Sequence, residues 1–116
     1  MADPRPVVDE QGPYLVGVRC AVCEHPMATA RPLCAACAGP VVESRFGPEG
    51  SVYSSTVVRI AVGGRIPPYA LAYVDLDDGP RVLAHVEGLE TAAPAVASRV
   101  RLSKQKSGDV VVEVVA

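Results

Sequence analysis

Four cysteines, Cys20, Cys23, Cys34 and Cys37, form the frame C-x2-C-x10-C-x2-C and constrain this chain more than any other feature. They are its only cysteines and come as two matched pairs. Two thiolates separated by two residues can turn back onto one metal ion, and a second such pair completes a tetrahedron. That donor set suits one structural zinc ion. With four protein ligands no coordination position remains for water, so the metal is expected to hold the fold and not to do chemistry. Three other readings fit less well. A redox pair wants its C-x-x-C opening a helix after a strand, which neither pair has. Two disulfides suit an oxidising compartment. Iron of rubredoxin type usually comes with a longer separation and an aromatic core. His25, two residues past Cys23, is read as a surface residue and not as a replacement ligand.

The remaining chain bounds the fold. At 116 residues it is one average domain, or two very small units sharing a core. Eleven Pro and ten Gly imply short strands and many turns. The longest apolar stretches, such as Tyr69–Val74 and Val110–Val112, are too short to cross a bilayer. The start, MADPRPVVDEQG, lacks the basic-then-apolar order of a secretory signal. A cytoplasmic protein with no membrane partner is expected. A net charge of −2 argues against nucleic acid as the main partner, because that affinity rests on a dense positive field.

Along the chain, residues 1–13 carry three Pro and no periodicity and read as a flexible or extended arm. Residues 14–45 read as a rubredoxin-like zinc ribbon. Tyr14–Arg19 is a strand leading into the first pair, and Val41–Ser44 returns after the turn Ala38-Gly39-Pro40. Residues 46–116 read as a second, all-β unit. Ser51–Val62 alternates, with Val52, Ser54, Thr56 and Val58 on one face and Tyr53, Ser55, Val57 and Arg59 on the other. After the loop GGRIPP come strand Tyr69–Leu76, a tight turn at Asp77-Asp78-Gly79, and its partner Arg81–Glu87. A connection over Gly88–Pro94, with room for a helical turn, leads to strands Ala95–Ser103 and Val110–Val115 around the polar turn KQKSGD. Five strands with the first one long match the rhythm of an OB-fold barrel; a half-open sandwich is the alternative. The expected fold class is mostly β.

Catalytic sets are thin. No cysteine is left over as a nucleophile, and the lone strand histidine His85 reads as exposed or hydrogen-bonded, not as a base. Asp75, Asp77 and Asp78 crowd a turn that favours Asp on its own account. Tyr53, Tyr69 and Tyr73 share odd-numbered positions with Arg59 and Arg81. That face suits single-stranded nucleic acid, a nucleotide-like ligand such as coenzyme A, or a partner protein. Simple packing of the tyrosines against the barrel remains equally open.

The order of parts resembles a known family. A four-cysteine ribbon runs into Gly50 and Val52–Val58, then into Pro67–Gly79, then Arg81–Gly88 and a final hairpin. This is similar to the zinc-ribbon/OB-fold proteins grouped as domain of unknown function 35, over residues 15 to about 115. Members of that family commonly carry a helix before the ribbon, where this chain has a proline-rich arm.

The resemblance implies a non-catalytic companion of a thiolase-superfamily enzyme: a thiolase, retro-aldolase or acyltransferase acting in lipid or steroid metabolism. The partner enzyme supplies the reacting groups, in a heterotetramer or larger hetero-oligomer. The OB-fold subunit helps hold the coenzyme A part of an acyl-CoA thioester, so that thioester is a shared ligand. Tyr53, Arg59, Pro68, Tyr69, Tyr73 and Arg81 are the candidate contacts. The alternative is a zinc-ribbon/OB-fold protein that binds single-stranded nucleic acid.

Overall fold

The computed structural model describes residues 7–8, 14–60, 66–88, 92–103 and 110–115. Most of the N-terminal arm, the loop over residues 61–65, the middle of the connection at 89–91 and the turn at 104–109 lie outside the described residues. The described residues form two sheets. The first holds β1 (Val7–Val8), β2 (Leu15–Cys20), β3 (Pro26–Met27) and β4 (Val41–Phe46), all antiparallel to β2. Two residues of the N-terminal arm thus pair with the ribbon, Val7 with Val16 and Val8 with Leu15.

The second sheet is a closed barrel in the order β5-β6-β7-β9-β8. Its strands are β5 (Glu49–Val58), β6 (Tyr69–Leu76), β7 (Arg81–Glu87), β8 (Arg99–Leu102) and β9 (Val111–Val114). β7 and β9 run parallel and every other pairing is antiparallel. This is the closed five-stranded barrel of an OB-fold, so closure leaves the barrel no open edge. No helix among the described residues is long and apolar enough to cross a membrane.

Alternation builds the core. Ala70, Ala72, Val74 and Leu76 of β6 and Val82, Ala84 and Val86 of β7 are buried, with their odd-numbered neighbours outside. Val100, Leu102 and Val112 complete the interior. Alanines at three of these positions let a barrel of only five strands close around valine and leucine.

The predicted faces of the first barrel strand need correction. Up to Val52 the even positions face in. The register then slips, and Tyr53 is an extra residue: Val52 pairs with Val74, yet Ser54 pairs with Tyr73. This bulge inverts everything after it. Ser55 and Val57 lie beside the buried Ala72 and Ala70, while Ser54 and Thr56 face outward beside Tyr73 and Leu71. The Ser55 hydroxyl donates to the Pro94 carbonyl at 2.6 Å. The strand also stops at Val58, so Arg59 lies just beyond it.

The two sheets share one core. Leu15 of β2 and Phe46 of β4 belong to the barrel's buried cluster. Arg19 crosses the junction, donating to the Glu24 carbonyl at 2.9 Å and to the Asp78 carbonyl, with its guanidinium 5.3 Å from the centre of the Phe46 ring. The β6–β7 turn fits this seam. Asp78 takes the left-handed conformation (φ 53°), while Gly79 leaves room for Phe46, because a Cβ there would stand 3.0 Å from the Phe46 Cβ.

Candidate functional site

The two C-x-x-C segments fold as near copies. In the first, the Glu24 N–H bonds the Cys20 carbonyl at 3.1 Å and the Cys20 N–H bonds the His25 carbonyl at 3.0 Å. In the second, the Ala38 N–H bonds the Cys34 carbonyl at 2.9 Å and the Cys34 N–H bonds the Gly39 carbonyl at 2.8 Å. Glu24 (φ 64°) and Ala38 (φ 62°), each just past its second cysteine, turn the chain through the left-handed region. Backbone N–H groups then point at the first sulfur of each pair: Val22 and Cys23 at Cys20 Sγ, and Ala36 at Cys34 Sγ, all at 3.3 Å.

All four sulfurs lie within 4.8 Å of one another. Cys20 and Cys37 are 3.5 Å apart, Cys23 and Cys34 3.6 Å. Four sulfurs at about 2.3 Å from a zinc ion in tetrahedral array would stand roughly 3.8 Å apart. The cage therefore fits one zinc ion, and these separations are far too long for disulfides. Electrostatics point the same way. The Cys20 thiol is drawn down to about 6, chiefly by the Cys23 N–H, against burial that raises it. The Cys23 thiol, although the His25 N–H lowers it, is pushed up to about 12 by the Cys37, Cys20 and Cys34 sulfurs and by burial. Four thiolates this close repel one another, and a dication removes that repulsion. When bound, zinc supplies that neutralising charge and cross-links the two loops. His25 is exposed and gives the cage only its backbone.

The six predicted contact residues fall into two groups. Tyr53, Tyr73 and Arg81 come together on the outer face of β5, β6 and β7. Arg81 stacks on Tyr53 with its Cζ 3.4 Å from the ring centre. The same guanidinium donates to Asp75 twice, at 2.7 and 3.2 Å. That forked pair holds the arginine's pKa above its ordinary value. Tyr73 and its cross-strand neighbour Leu83 are about half exposed beside them. Sequence reasoning missed Asp75 as a partner, and also Arg99, which bonds Ser51 at 2.9 Å and forms a forked pair with Asp77. Same-face spacing across the hairpin could have paired Asp75 with Arg81.

Arg59, Pro68 and Tyr69 lie toward the other end of the same strands. Arg59 and Pro68 are exposed, and the Tyr69 ring sits 5.6 Å from that of His85. Along β6, Tyr69 and Tyr73 are separated by roughly 13 Å at ~3.4 Å per residue. The sequence-predicted face is therefore an elongated strip, not one cluster.

Comparison with known proteins places these parts. Residues 43–105 match the family model described as the ChsH2 C-terminal OB-fold domain. The benzoylsuccinyl-CoA thiolase subunit BbsA of Geobacter metallireducens is 36% identical over 77 residues, 66% of this chain and 52% of that protein. A DUF35 domain-containing scaffold protein of Pyrococcus furiosus is 35% identical over 79 residues, covering 66% of this chain and 57% of its own length. The chain thus spans little more than half of these relatives.

Among solved structures, a chain of the Ltp2-ChsH2(DUF35) aldolase superposes with a TM-score of 0.71 at 23% identity, over 87% of this chain and 84% of that one. A DUF35-family protein of unknown function from Sulfolobus solfataricus gives 0.66 at 19% identity, over 88% and 76%. These superpositions support the fold.

Proposed function

The chain belongs to the zinc-ribbon/OB-fold proteins of domain of unknown function 35, with its barrel in the ChsH2 C-terminal OB-fold family, and on that premise we propose that it is a non-catalytic accessory subunit of a thiolase-superfamily enzyme. The observation that carries this reading is the name of the similar relative BbsA, a thiolase subunit. In the proposal the partner enzyme holds the nucleophile and bases, in a heterotetramer or larger assembly in the cytoplasm. This chain docks on it and presents the outer strip of its barrel to the coenzyme A part of an acyl-CoA.

The side chains support a division of roles within that proposal. Arg81 already spends its planar fork on Asp75 and its face on Tyr53. Arg59 is exposed and has no ion-pair partner among the described residues, so it is the better ligand for coenzyme A phosphates. Pro68 and Tyr69 flank it in the proposal, and Tyr53 and Tyr73 offer flat apolar surface at the far end. The zinc ribbon, fused to the barrel through Leu15 and Phe46, acts as a stiff docking arm.

Reconstitution tests this. A thiolase-fold enzyme from the same organism is assayed for acyl-CoA cleavage alone, with this chain, and with the Arg59→Ala variant. The proposal expects activity to need the chain, and KM for the acyl-CoA to rise in the variant. Full activity of the enzyme without this chain would contradict it.

A further inference from the structure

Two sulfur–sulfur contacts with hydrogen-bonding geometry cross the cage. Cys20 meets Cys37 at 3.5 Å and Cys23 meets Cys34 at 3.6 Å, so neither contact lies within a C-x-x-C segment. Each contact also joins one buried and one exposed residue, because Cys20 and Cys34 are buried while Cys23 and Cys37 are exposed. The buried sulfurs are fixed by backbone N–H groups at 3.3 Å. Cys23 and Cys37 are the two residues of the cage on the solvent side.

We propose that this cage is also a peroxide-oxidation site, in which exposed Cys37 and Cys23 are attacked and close on Cys20 and Cys34 across the cage. The step balances as follows. A thiolate of Cys37 attacks one peroxide oxygen; the S–O bond forms, the O–O bond breaks, and the departing hydroxide takes a proton to become water. The Cys20 thiolate then attacks the Cys37 sulfenic sulfur, forming the S–S bond and expelling hydroxide, which is protonated to a second water. Cys23 and Cys34 repeat the sequence with a second peroxide. Two thiolates are oxidised and one peroxide is reduced for each disulfide, and the zinc ion, left without donors, is released.

Reaching a bond of about 2.05 Å needs each pair to close by roughly 1.5 Å. The pairing has a structural consequence. Disulfides within each C-x-x-C would leave no covalent link between the two loops once zinc departs, only the β2–β4 pairing and the bond from the Ala21 N–H to the Pro40 carbonyl. Crossed disulfides span 17 and 11 residues and replace the metal's cross-link, so the oxidised ribbon keeps its shape.

The zinc-loaded full chain suffices for the test, so its result does not depend on any enzyme partner. The chain is treated with hydrogen peroxide in the presence of a chromogenic zinc chelator, then cut after Glu24, which lies between the two pairs. Without reductant, the fragments carrying Cys20/Cys23 and Cys34/Cys37 should stay joined, and fragmentation should assign Cys20–Cys37 and Cys23–Cys34. One zinc ion should be released for every two disulfides. Fragments that separate, each with an internal disulfide, would overturn the proposal. So would the opposite crossed pairing, or sulfinic acids with no disulfide.

Discussion

Arg81 lies flat over the ring of Tyr53, with its Cζ 3.4 Å from the ring centre, while its fork grips Asp75. The β-bulge brings the ring there, and the cross-strand pairing of Asp75 with Arg81 supplies the grip. An aromatic ring and an arginine, held rigid and half exposed, have the composition of an interface anchor. Arg81→Ala should therefore weaken association with the enzyme partner on the order of tenfold while zinc content stays unchanged. Arg81→Lys should not restore it, since an ammonium lacks the planar fork. A titration of each variant against the partner decides this, and unchanged affinity for Arg81→Ala would remove Tyr53 and Arg81 from the interface.

Metal content and barrel stability should be linked. Cys34→Ser breaks the cage at a buried donor, so the purified variant should carry little zinc. Because Leu15 and Phe46 belong to the barrel core, loss of the ribbon should also lower the barrel's melting temperature. Zinc analysis with thermal melting of the wild type before and after chelation measures both. A barrel melting point unmoved by chelation would show that the shared core transmits nothing.

The seam itself can be probed without touching the metal. Phe46→Ala empties a site that is 3% exposed and should cost about 3–5 kcal/mol. Gly79→Ala forces a Cβ against Phe46 and Leu76, at 3.0 and 3.1 Å, and should cost roughly 1–3 kcal/mol by overpacking. Urea unfolding of both variants reports these losses. A near-neutral Gly79→Ala would mean that the turn moves aside freely.

Acid sensitivity should trace partly to Asp77. The Arg99 hydrogen bonds hold its carboxyl below the ordinary value of 3.8. A carboxylate with a depressed folded pKa contributes stability above its unfolded pKa and loses it as pH falls through the folded one. The wild type's advantage over Asp77→Asn should therefore be full at neutral pH and shrink only once pH drops below 3.8. Urea midpoints across the acid range test this; a gap that persists at the acid extreme would assign the effect to packing.

How much of this was legible beforehand depended on the range of the interaction. The cysteine cage was readable because its spacing is local, and β6 and β7 were readable because their alternation is unbroken. The bulge at Tyr53 was not. It is marked by neither Gly nor Pro, and it exists because β5 must bend between β6 and β8, which the local sequence does not announce. One extra residue then reversed the faces of Ser54 to Val58 and took Arg59 out of the strand. Of the six predicted contacts that slip displaces only Arg59; Tyr69, Tyr73 and Arg81 keep the outward positions that alternation gives β6 and β7, and the length of β6 sets Tyr69 and Tyr73 apart. Gly79 likewise looked like a turn residue, yet the left-handed position is Asp78 and the glycine is needed for space beside Phe46. That need arises between segments far apart in sequence.

The central claim, that this chain is a docking subunit, is tested most directly by co-expressing it with thiolase-fold enzymes of the same organism and measuring the mass of the purified species by light scattering. The account predicts a stoichiometric complex of the two chains with one such enzyme, at least heterotetrameric, with one zinc per copy of this chain. Separate elution of this chain, zinc-loaded and folded, from every thiolase-fold enzyme tried would contradict it.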